Sequence, residues 1–134
     1  LLPDNRKELI LYRIQTAKER LHSSQLLLRE KSYKDSINRS YYAMFTSVRA
    51  LLAMDGQDFS KHAGVIAYFQ KEYIKTGKFD KKYSKYISQA FQIRNNVDYA
   101  DFFLVSEQDA LLQYERAAEF LDAIEVYLKK EYLL

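Results

Sequence analysis

Arg94 is the residue whose type and position most demand chemistry. Counting Tyr83, Ile87, Ala90, Arg94 and Val97 by fours and threes places its guanidinium inside an apolar helical stripe. A guanidinium cannot shed its charge, so at a buried position it needs a carboxylate, a phosphate or water. Asp98 and Asp101 fall on the same face. Two readings follow: an internal ion pair closing the end of a helix, or an anion-binding arginine in a crevice. Asn95 beside it offers a nucleotide both a donor and an acceptor, or it simply faces solvent. Tyr99 lies about 140° round the helix from Arg94. The two therefore share a site only if the helix end is distorted or the site lies between chains.

A second polar edge comes from Asn38 and Tyr42, one helical turn apart, with Arg39 adjacent. It is either the opposite wall of a crevice or an amphipathic boundary with hydroxyls at the rim. Only two histidines are present, His22 and His62. His62 falls in the first turn of a helix, where the helix N-terminus disfavours its protonated form. Lys61 at the same helix start can hold a phosphate or remain a solvated charge. Ser60 and His62 make no triad, lacking an orienting acid and oxyanion donors. Neither a His-Glu-x-x-His motif nor a glycine-rich phosphate loop occurs, so metalloenzyme and nucleotide-hydrolase templates fail. No metal and no cofactor are expected.

The elements that must position these residues read as helices throughout. Residues 4–30 carry Ile10, Ile14, Ala17, Leu21, Ser24 and Leu28 on one face. After a break at Lys31-Ser32, residues 33–54 carry Ile37, Tyr41, Met44, Val48 and Leu51, with Gly56 as the stop. A shorter helix is expected over 60–76, with Ser60 as N-cap and Gly77 as its stop. Asp80 caps a fourth helix running to about residue 100. Ser106 and Asp109 form a capping-box variant opening a fifth, to about 131, with Leu111, Tyr114, Ala118, Leu121 and Leu128 inward. Phe102, Phe103, Leu104 and Val105 read as a hydrophobic plug across the bundle end, the alternative being an exposed partner patch. Short connections favour antiparallel neighbours. The fold expected is all-α, an up-and-down antiparallel bundle of four long helices and one shorter helix, in a single domain over residues 1–134.

Composition narrows the partners. Twenty-one basic and 18 acidic side chains are interleaved for a net charge of +3, which is not the footprint of a general nucleic-acid binder. Only a local basic patch can serve that role. The absence of cysteine excludes disulfides and thiolate zinc sites. No apolar run approaches the roughly 20 residues that cross a bilayer, so a cytoplasmic chain without membrane association is expected. Twelve tyrosines are the compositional outlier and suit an amphipathic interface.

Three segments in order carry a family resemblance: Arg39-Ser40-Tyr41-Tyr42-Ala43-Met44-Phe45 with Ala50-Leu51-Leu52, then Ser60-Lys61-His62 and Thr76-Gly77-Lys78, then Arg94 to Tyr99. Over roughly residues 32–128 the chain resembles the HEPN superfamily (higher eukaryotes and prokaryotes nucleotide-binding). The branch it is most similar to is the small stand-alone prokaryotic proteins paired with minimal nucleotidyltransferases. The resemblance implies a helical bundle that dimerises with sites of two protomers facing each other. Many members are metal-independent endoribonucleases using an arginine, a polar neighbour and a histidine four to six residues on. Arg94 matches the arginine and Asn95 the neighbour, whereas Tyr99, Ala100 and Asp101 stand where the histidine belongs. A tyrosine is a poor base at neutral pH, since its proton leaves near pH 10. Some paired members are adenylylated on a tyrosine near this motif, which makes Tyr99 a candidate acceptor.

The function expected is a HEPN-type nucleotide- or RNA-binding module, homodimeric, forming one half of a toxin–antitoxin-like pair with a nucleotidyltransferase. Its site is the Arg94-Asn95-Asp98-Tyr99 crevice, with Asn38, Arg39, Tyr42 and Lys61 contributing. One alternative is a metal-independent endoribonuclease using Arg94 with His62 or Tyr99. A second is a structural helical domain whose polar crevice is only an ion-pair network.

Overall fold

Hydrogen bonds at the chain's turns decide where each helix stops. The computed structural model describes residues 3–132, with side chains over 5–131. Its helices are α1 (Pro3–Arg29), α2 (Tyr33–Asp55), α3 (His62–Phe69), α4 (Lys81–Tyr99) and α5 (Glu107–Tyr132). α1 ends where Lys31 turns left-handed at φ 64°, Ser32 N–H donating to the Leu27 carbonyl at 2.8 Å. α2 ends the same way on Gly56, at φ 69°, with Gln57 N–H donating to the Leu52 carbonyl at 2.9 Å. Both are Schellman-type stops, and they reverse the chain within a few residues. Asp80 accepts from the Lys82 N–H at 2.9 Å to start α4. Ser106 and Asp109 exchange two 3.0 Å hydrogen bonds to start α5.

The third helix departs from expectation. Ser60 does not cap it; Lys61 takes the N-cap position in extended backbone, without a side-chain hydrogen bond. The chain enters instead through Phe59, whose ring lies 5.6 Å from that of Tyr68 and against Gly64. An apolar clasp does the work assigned to the hydroxyl. α3 then widens into a π-helical turn over Gln70–Ile74. That turn aims Tyr73 inward, where it and Tyr68 both donate to the Asp55 carboxylate, at 2.5 and 2.9 Å.

α2 is the centre of the bundle, packed against α1, α3, α4 and α5. Its stripe of Ile37, Tyr41, Met44, Val48 and Leu51 is fully buried. α1 lies along it, its own stripe of Ile10, Ile14 and Ala17 buried and Leu21 packed against the core's edge. Further along, the two helices meet at a cluster of serines. Ser36 Oγ donates to the Ser24 carbonyl at 2.8 Å and Ser24 Oγ to the Ser36 carbonyl at 3.0 Å. Ser40 Oγ, 2.6 Å from Ser24 Oγ, completes the set. All three are fully buried, yet each hydroxyl finds a partner.

α5 keeps Leu121 and Leu128 inward as expected, but its first half is rotated relative to the expected inner face. Ala110, Gln113, Ala117, Phe120, Leu121, Ile124 and Leu128 face inward, while Leu111 is largely exposed and Tyr114 and Ala118 are only half-buried. Close approach to the bundle selects the small alanines over the larger neighbours that drew the sequence reading. The stretch after α4 is also not a uniform plug. Phe103 and Val105 turn inward beside Ile37, Ile93 and Leu112. Phe102 turns outward on a left-handed backbone, and Phe102 and Leu104 remain 97% and 87% exposed. The left-handed turn throws Phe102 outward, and side chains then alternate along residues 103–105, so only Phe103 and Val105 can plug. No helix among the described residues is long and apolar enough to cross a membrane.

Candidate functional site

Arg94 sits where α4 crosses α2 and the start of α3. Its place in the α4 stripe buries it to 8% exposure, beside Ala90 and Ile87. The guanidinium carbon lies 5.2 Å from the Tyr41 ring, 5.5 Å from Tyr42 and 5.9 Å from Phe91. Three aromatic rings therefore hold the cation, an arrangement that favours guanidinium through its flat face. One terminal nitrogen lies 3.3 Å from Asp98 Oδ2, the pair expected from the sequence. Asp101 is exposed and pairs with nothing among the described residues. The Arg94 Nε–H is buried without an acceptor. Among the described residues a single carboxylate, itself 30% exposed, is thus the counter-charge in contact with a nearly buried cation.

The other terminal nitrogen of Arg94 approaches His62 Nδ1 at 3.2 Å, and Tyr41 Oη lies 2.9 Å from the same atom. Arginine can only donate, so Nδ1 must be the unprotonated nitrogen and the imidazole proton sits on Nε2. Tyr41 then donates as well. Burial, with the charges of Arg94 and then Arg49, holds the His62 pKa below the ordinary imidazole value. Burial likewise raises Tyr41 well above the usual phenol range, so its hydroxyl keeps its proton. The ring of His62 stacks on Phe45 at 4.1 Å.

This has a consequence for stability. Near the ordinary imidazole value of about 6.5 the unfolded chain takes up a proton that the folded His62 resists. Stability contributed by neutral His62 is therefore complete above that value and declines as pH falls toward the lower folded one. Urea midpoints measured from pH 8 to pH 5 should fall on the acid side. A His62→Gln variant should show a shallower fall; an unchanged slope would place the proton uptake elsewhere.

Arg94, Asn95, Tyr99, Tyr42, Lys61 and His62 line one open cleft of about 480 Å³. Tyr99 therefore shares the cleft with Arg94 without a distorted helix, because α4 stays regular to Tyr99 and the cleft is broad. Tyr99 is 78% exposed at its rim. Asn38 and Arg39 do not line it: they lie a turn earlier on α2, half-buried and exposed respectively. Across the Tyr42–His62 divide lies a second groove of about 470 Å³, lined by Tyr12, Arg13, Thr16, Arg20 and Arg49. Sequence reasoning missed this groove. Its signal was Arg13, Thr16 and Arg20 at three- and four-residue steps, one edge of α1. Tyr41, counted only as core, is the other omission.

Among the described residues no cluster of histidine, aspartate or glutamate could hold a metal ion. The arrangement can bind an anion, donate hydrogen bonds and stack a flat ring, and it presents one neutral imidazole.

The profile of the family described as HEPN domain matches residues 10–128. A UPF0332 protein of Thermotoga maritima is 40% identical over 122 residues, covering 90% of this chain and 92% of the relative. Two proteins of Methanocaldococcus jannaschii, each named as a candidate toxin, are also similar. One is 33% identical over 97% of this chain and 96% of its own length. The other is 31% identical over 90% and 82%.

Proposed function

From the premise that the chain belongs to the HEPN domain family, we propose that it is a nucleotide- or RNA-binding module, the toxin-like half of a pair with a nucleotidyltransferase. The observation that carries this reading is Arg94: a nearly buried guanidinium in an aromatic box, facing one part-exposed carboxylate and opening on a cleft. A purely structural ion pair would place its carboxylate as deep as its cation, and Asp98 is shallower. A phosphate entering the cleft would complete the neutralisation, with Lys61 adding charge and Asn95 reading a base edge. Similarity to relatives named as candidate toxins supports the toxin-like half. A second copy of the chain would cover Phe102 and Leu104, the exposed apolar residues that follow α4. Sedimentation of the purified chain reads that association directly.

The contact between Arg94 and His62 favours one second reading. A neutral imidazole 3.2 Å from a phosphate-holding arginine is placed to work as a base. His62 then stands in for the histidine missing after Arg94, provided Arg94 releases Nδ1 on binding phosphate. Cleavage of RNA should disappear with either His62→Gln or Arg94→Ala if this holds.

The exposed Tyr99 hydroxyl is accessible to a partner enzyme. Adenylylation would join its oxygen to the α-phosphorus of ATP, release pyrophosphate and give the phenolic proton to solvent. Incubation with ATP and the cognate transferase should add one adenylyl mass, lost in Tyr99→Phe; an unmodified wild-type chain rules the step out. Binding itself is tested by calorimetry with AMP and a short RNA, comparing wild type with Arg94→Ala.

A further inference from the structure

The groove between α1 and α2 carries more positive charge than the structure neutralises. Arg13 and Arg49 share one carboxylate, Asp58, at 3.8 and 3.5 Å, and Asp58 is more than half exposed. Arg13 also donates to the Arg49 backbone carbonyl at 2.7 Å, which fixes its side chain against α2 at that position. Burial raises the cost of the Arg13 charge, and the neighbouring Arg49 charge adds to it. Arg20, two turns along α1 from Arg13 and about 10 Å from it on the helix axis, has no ion-pair partner among the described residues. Structural pairing accounts for Asp58 and the loop that carries it. It does not account for three arginines lining a groove.

This groove and the Arg94 cleft both use Tyr42 and His62 as lining. The two lobes are therefore one continuous track with an aromatic saddle. Five cations (Arg13, Arg20, Arg49, Lys61 and Arg94) face two carboxylates along it (Asp58 and Asp98), on a chain whose whole formal excess is +3. The surplus charge of an otherwise balanced protein is thus collected on one path. Tyr12, 70% exposed at the groove edge, and Tyr42 at the saddle offer faces on which bases can stack.

We propose that the Arg13–Arg20–Arg49 groove is a second phosphate subsite that takes the backbone of a single-stranded polynucleotide whose neighbouring phosphate or end lies at Arg94. The inference rests on the binding function proposed for Arg94 and specifies its ligand as a strand rather than a mononucleotide. Positively charged walls with interleaved rings suit a flexible strand, which can bend over the saddle as a duplex cannot.

The test titrates wild type, Arg94→Ala and the double variant Arg20→Gln/Arg49→Gln with AMP and with RNA oligomers of two, four and six nucleotides, at several salt concentrations. Arg13, more buried than Arg49, is left in place, and circular dichroism checks that each variant is folded. Wild type should bind the hexamer at least roughly tenfold more tightly than AMP. The double variant should lose that gain, keep AMP binding, and show a salt slope shallower by about 1.4, at ~0.7 for each of two phosphates. Hexamer binding no tighter than AMP, or a gain that survives the double substitution, overturns the subsite and leaves the Arg94 site standing. Failure of folded wild type to bind any of these ligands overturns both. A polyglutamate peptide that displaces the hexamer at equal charge would show a general acid-binding surface instead, and would also overturn the proposal.

Discussion

Arg94→Ala is expected to weaken AMP binding by between about tenfold and a hundredfold, the range for losing charge-assisted hydrogen bonds to a phosphate. The protein should remain folded. Asp98, 30% exposed, regains water when its partner leaves, and His62 keeps the Tyr41 hydroxyl on Nδ1. The remaining cost is lost contact with three aromatic rings, about 1–2 kcal/mol. Arg94→Lys sharpens the result. An ammonium keeps the charge, but it cannot reach both Asp98 and His62 through a planar fork. Lysine should therefore restore only part of the affinity. Full restoration would mean that a point charge suffices, and normal binding by the alanine variant would place the ligand elsewhere.

Phe120→Ala is the second large effect, and it acts on the scaffold. Phe120 is fully buried on α5, its ring 5.4 Å from Phe69 and 5.8 Å from Tyr83. Removing a buried aromatic ring costs about 3–5 kcal/mol, through lost transfer energy and the cavity left behind. Whole domains are stable by only about 5–15 kcal/mol. The melting temperature should fall by roughly 10–20 °C. AMP affinity of the folded fraction should not change, because Phe120 is not among the residues lining the cleft. A loss below about 1 kcal/mol would show that α5 does not pack there as described.

Much of the scaffold was legible in the sequence because its signals are local. Gly56, Asp80 and the Ser106–Asp109 pair act through hydrogen bonds within a few residues, and each ends or starts a helix as expected. Arg94 and Asp98 were legible for the same reason, being one turn apart on α4. What was not legible depended on other elements. The inward face of α5 is chosen by how closely α2 lets it approach, and that selects Ala110 and Ala117 over Leu111. His62 reads as a lone histidine until α3 brings it to Arg94 across 32 residues. The arginine groove needs Arg49 from α2 beside Arg13 from α1, a pairing that periodicity within one helix does not contain.

The buried serines between α1 and α2 act as a vernier for this groove. Ser24 lies one turn beyond Arg20 on α1, and Ser40 two residues before Tyr42 on α2. Three hydroxyls and two carbonyls satisfy one another only when Ser24 faces Ser36 and Ser40. A greasy seam of leucines would tolerate sliding by one turn, about 5.4 Å, with little loss. Here such a slip would strand polar groups in a dry interface. The spacing between the arginines of α1 and the aromatic saddle of α2 is thus calibrated by residues that touch no ligand. A drift in that calibration would move the arginines against the aromatic saddle before it altered whether the chain folds.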